Sequence, residues 1–73
     1  MPKLSINTIT DDDIRALQAD ALAAGDDHTE DLCRHALGIT PLIAWNFSSH
    51  AARIRCVEAI NFLQWARERG AQA

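Results

Sequence analysis

SSHAARIRCVEAINFLQWARERG, residues 48–70, is the stretch that decides the fold of this 73-residue chain. At about 100° per residue, Ala52, Cys56, Ala59, Ile60, Leu63 and Ala66 fall within a sector of roughly 120°, the pattern of a helix with one face on a core. Ser48 or Ser49 stands where a capping hydroxyl is needed, and Gly70 follows Arg69 where a helix would stop, so a helix is expected near residues 49–69. Across the cylinder, Ile54, Phe62 and Trp65 form a second apolar group, interleaved with Arg55, Glu58 and Arg69. One face is enough for a three-helix core. The second group therefore either receives Trp45 and Phe47 from the preceding segment or meets another protein, and the two are not exclusive.

Two shorter helices precede it. Thr10 with Asp13 three residues on makes a capping box, in which each side chain satisfies an orphan amide beside the other. Ile9 and Ile14 flank it as a hydrophobic staple. Ile14, Leu17 and Ala21 make one stripe, and Gly25 supplies the left-handed stop, giving a helix over 10–24. Asp27 and Glu30 repeat the box and open a helix over 28–37 that Gly38 closes, with Leu32, Cys33, Ala36 and Leu37 on its buried side. A helix that short needs neighbours to persist.

Residues 39–49, ITPLIAWNFSS, are harder to read. Thr40 and Pro41 suit an N-cap and first helical position, which allows a short extra helix at 41–47. Leu4 and Ile6 alternate weakly in residues 3–9, as in an extended arm or short strand, and the tail AQA is expected to fray. The expected architecture is all-α, a small three-helix bundle with room for a short extra helix at 41–47 and with an extended N-terminal arm, forming one domain over residues 1–73.

A chain this short buries only about 60% of its unfolded surface, so it commonly needs disulfides, a metal or a partner. Two cysteines against 48% hydrophobic residues favour a partner, a second copy among them. The first ten residues hold no secretory signal and no run reaches the roughly 20 apolar residues of a bilayer span, which points to the cytoplasm, reduced thiols and no membrane partner. Net charge is −3, unevenly divided. Residues 1–31 carry eight acids against Lys3 and Arg15, whereas residues 32–73 carry five arginines against Glu58 and Glu68. Acids at helix starts and arginines at helix ends answer the helix dipole, and the same polarity can steer association.

No constellation carries chemistry. Cys33, His35, His50 and Cys56 are zinc-ligand types, but C-x-H and H-x5-C match no common site, and Cys33 and His35 point about 200° apart on a helix. The cysteines read as small buried hydrophobes, with a Cys33–Cys56 disulfide conceivable if the second and third helices pack side by side. The histidines lack the cleft and orienting group that nucleophilic catalysis requires. No metal, cofactor or catalytic residue is expected. Residues 31–47, DLCRHALGITPLIAWNF, have the outline of a helix-turn-helix, but Arg34 stands where a small residue is needed and PLIAWNFSS offers few donors to bases or phosphates.

Several of these elements occur together in a recognisable order: Ile9, Thr10, Ile14 and Leu17; Ala24, Gly25 and Asp26; Cys33, Ala36, Leu37 and Gly38; Ala52, Arg53, Cys56 and Ile60. In this the chain resembles short helical open reading frames of bacteriophages, prophages and plasmids, over most of residues 9–66. The resemblance implies a phage or mobile-element accessory protein of a group without an established activity. Small phage proteins of this size often disable host machinery, anti-CRISPR inhibitors being one such class. The chain departs from the pattern in residues 39–49 and in the added bulk of Trp45, Phe47, Phe62 and Trp65, and aromatic surplus is what interfaces use.

The expected function is thus non-catalytic: a protein-interaction module that binds and inhibits a host macromolecular complex, or itself as a homodimer. The alternative is a small DNA-binding or transcription-regulating dimer using residues 33–47 with Arg53 and Arg55. Partner-facing residues are expected in two sets. Ile54, Glu58, Phe62, Trp65 and Arg69 lie on the outer face of the third helix, and Asp11, Asp12, Asp13, Asp27, Glu30 and Asp31 form an acidic set suited to Arg/Lys surfaces that hold nucleic acid.

Overall fold

A computed structural model describes residues 4–72, with side chains through Gly70; residues 1–3, at the start of the arm, and Ala73 lie outside the described residues. Three helices account for the architecture: α1 (Asp11–Ala24), α2 (Asp27–Ala36) and α3 (Ser49–Gln72). Each begins where a side chain accepts from an orphan amide. Thr10 and Asp13 form the expected reciprocal box on α1. On α2 the cap is Asp26 rather than Asp27, because Asp26 reaches both the amide and the hydroxyl of Thr29. Ser48 caps α3 through the Ala51 amide.

The first two helices end alike. After α1 the Asp26 amide returns to the Ala21 carbonyl, and after α2 the Ile39 amide returns to that of Arg34, each closing the helix around a left-handed glycine, Gly25 (φ 71°) and Gly38 (φ 78°). Gly70 does not act this way. Its φ is not positive and α3 runs through it to Gln72, so the stop expected there does not form; of the tail expected to fray, Ala73 lies outside the described residues.

The helices run up, down and up. Gln18 on α1 donates to Glu30 on α2, as in an antiparallel hairpin. Arg53 meets Asp11 and Arg67 meets Asp20, which sets α3 parallel to α1. Packing is close for α1 on α2 and for α2 on α3, while α1 and α3 splay apart. The core lies along α2: Ile9, Ile14 and Leu17, Leu32, Cys33 and Ala36, Ala52, Cys56 and Val57. Ile9 and Ile14 both belong to it, as a staple requires.

The buried side of α3 differs from the expected one. Ala52 and Cys56 are buried and Ala59 and Ile60 half-buried, but Leu63 and Ala66 are exposed, and Val57 is buried instead. The physical reason is length. The ten residues of α2 end near Ala59 to Leu63, so the last turns of α3, itself roughly 36 Å long, have only the splayed α1 beside them.

No helix forms at 41–47 and no strand occurs among the described residues. Residues 39–48 are instead an irregular loop. The arm makes a tight turn between Ser5 and Thr8 before Ile9, and Leu4 is clamped to α3: Asn61 Oδ1 accepts from the Leu4 amide and Asn61 Nδ2 donates to its carbonyl, both at 2.9 Å. One side chain thereby satisfies a backbone donor and acceptor as a neighbouring strand would.

Candidate interaction surfaces

The loop over 39–48 is held from beneath by a single carboxylate. Asp31, 2% exposed on the core side of α2, accepts from the amides of Leu42 (2.7 Å) and Ile43 (2.9 Å) and from Trp45 Nε1 (2.9 Å). Arg34 adds a bond to the Thr40 carbonyl, and His35 Nε2 donates to that of Phe47 at 2.6 Å, a contact that fixes the tautomer because a carbonyl can only accept. Burial pushes the Asp31 pKa up, yet the three donors together with the Arg34 charge outweigh it and hold the carboxyl below its ordinary value. Trp45 packs edge-on to His28 and stacked on His35, and Phe47 packs against Trp45 and under the Arg55 guanidinium, 4.4 Å from its ring.

That arrangement leaves the aromatic part of the outer face of α3 uncovered by these two rings. Trp45 and Phe47 lie against α2 and the start of α3, away from Phe62 and Trp65, which stay 62% and 52% exposed. Their rings are 5.8 Å apart, and Arg69 lies over the indole at 5.0 Å. Ile54, Glu58 and Arg69 are exposed as well, so the five residues expected on this face share an open ridge. Beside it, between α1 and α3, runs a groove of two adjoining clefts of about 440 and 400 Å³, which share Leu17, Asp20, Leu63 and Arg67. Phe62 forms one lip. The Asp20–Arg67 ion pair spans the groove at 3.6 Å, too exposed to contribute much stability.

The acidic set is dispersed. Asp11 to Asp13 stand at the start of α1 and Asp27 and Glu30 at the start of α2, which the hairpin places at the other end of α1, about 20 Å away. Most have local partners: Asp11 pairs with Arg53, Asp12 with Arg15, Asp13 completes the capping box, and Glu30 accepts from Gln18. Asp27 is exposed. Asp31, expected to face a partner, is turned inward and committed to the loop, because the three donors above and the core around α2 leave it no surface. Its role has no sequence signature, since two of its donors are main-chain amides that any residue could supply.

Cys33 and Cys56 meet inside the core as free thiols, and the neighbouring Cys56 sulfur, then burial, push the Cys33 thiol up. Among the described residues no group of three or more His, Cys, Asp or Glu is placed to hold a metal ion. Among the described residues no helix is long and apolar enough to cross a membrane. No protein-family model, curated protein or solved structure matches the chain.

Proposed function

We propose that the chain is a non-catalytic protein-interaction module, an accessory protein of phage or mobile-element type that binds and inhibits a host macromolecular complex. The observation that carries this reading is an inversion of sizes. The fully buried positions are filled largely by small side chains, Cys33, Ala52 and Cys56 beside Ile14, while Leu22, Leu42, Phe62, Leu63 and Trp65 are left outside. A single exposed leucine means little, but adjoining aromatics on a chain already short of buried surface are apolar area held for another molecule.

The resemblance to phage and plasmid reading frames supplies the class of partner. DNA binding has less behind it. The segment that would be a recognition helix is a loop, Arg53 is engaged by Asp11, and Arg55 lies on Phe47. The test is affinity capture from nuclease-treated host lysate with wild type beside a Phe62→Ala, Trp65→Ala variant. Retention of a defined assembly by wild type and its loss from the folded variant support the proposal. Retention that vanishes with nuclease and reappears on DNA or heparin, falling steeply with salt, favours the nucleic-acid reading instead.

A further inference from the structure

The ridge on α3 has an internal symmetry. Glu58, Phe62, Trp65 and Arg69 are spaced by four, three and four residues, the alternation that keeps a seam on one side of a helix. The pattern reads the same from either end: a charged residue, two aromatics, a charged residue of opposite sign. We propose that this face is closed by a second copy of the chain, lying antiparallel along α3 about a twofold axis between Leu63 and Gln64, an inference that rests on the reading of the ridge as an interface.

In that arrangement residues equidistant from the axis face each other. Glu58 meets Arg69 of the second copy, Phe62 meets its Trp65, and the symmetry repeats both pairs, as an isologous interface requires. Charge selects this direction over the alternative. Parallel helices in register would set Glu58 against Glu58 and Arg69 against Arg69. The side chains already stand in suitable places, since Phe62 and Trp65 are tilted against each other at 5.8 Å and Arg69 lies over its own indole at 5.0 Å, its charge held at the end of the seam. The borders are defined too. Asn61 clamps the arm along one edge, and Phe47 under Arg55 and the lip of the groove bound the other. The energy of association lies in the aromatics, and the rim charges fix orientation and register.

The test is sedimentation velocity of the full chain over a range of concentrations at low ionic strength, where exposed ion pairs are least screened. Wild type is expected to dimerise and to dissociate on dilution. Glu58→Arg alone and Arg69→Glu alone each lower the association constant about tenfold, because every substitution sets like charges opposite one another twice. The double variant recovers most of the loss. Both residues are exposed, so circular dichroism of the variants should match wild type. A wild type that stays monomeric, a dimer indifferent to the single substitutions, or a double variant no better than the singles overturns the proposal. A monomer that still captures a host assembly through Phe62 and Trp65 removes the second copy and leaves the functional reading standing. A charge-rescued dimer that captures nothing does the reverse.

Discussion

At the scale of the residue, Asp31 has the most consequence for its size. It converts ten residues of loop with no regular hydrogen bonding of their own into a fixed surface whose apex, Leu42, is 86% exposed. Its carboxyl is held below its ordinary pKa when folded, whereas an unfolded aspartate titrates near 3.9, so it adds stability at pH values above about 4 and loses that contribution as pH falls through its folded pKa. Asp26, held down first by the Thr29 hydroxyl and then by the Thr29 amide, works in the same direction. Asp31→Asn should therefore lower the denaturation midpoint at neutral pH and flatten its decline in acid, with a red shift of Trp45 emission in a Trp65→Phe background. A variant with the acid limb of wild type would show that the loop is held by other contacts.

Among the elements, the two kinds of glycine make the clearest contrast. Gly25 sits at φ 71° and closes α1, and a Cβ there meets nothing within 4 Å, so the cost of Gly25→Ala is conformational, about 1 kcal/mol or more. Gly70 lies within the helix with equally open space around it, and Gly70→Ala should stabilise the end of α3 by up to about 1 kcal/mol. Chemical denaturation of the two variants should move in opposite directions. A Gly70→Ala change that destabilises would mean that α3 ends where the sequence places its stop. The cap of α1 was legible because it is local: Thr10 with Asp13 needs only four residues to be recognised, whereas at α2 two adjacent acids offer the same pattern and the cap is Asp26, not Asp27. The end of α3 was not legible, since a glycine can close a helix or sit inside one, and nothing nearby distinguishes the cases.

For the whole molecule, the number, order and approximate limits of the helices could be read from periodicity and caps, and the five residues of the α3 face could be named from angle alone. What could not be read is set by how the helices align and by long-range partners. The alignment of α2 along the first half of α3 leaves Leu63 and Ala66 uncovered, and the hairpin divides the acids between the two ends of α1. Asp31 and Asn61 act on main-chain groups 11 and 57 residues away, which leave no mark on the pattern.

Phe62 and Trp65 lie outside the monomer core, and the proposed interface depends on that placement. Its most direct test is urea denaturation of the Phe62→Ala, Trp65→Ala variant beside wild type, at concentrations dilute enough to exclude association. Stabilities within about 0.5 kcal/mol of each other are expected, as for surface substitutions. A loss of roughly 3–5 kcal/mol or more, the range for truncating a buried aromatic, would place both rings in the core and contradict that placement.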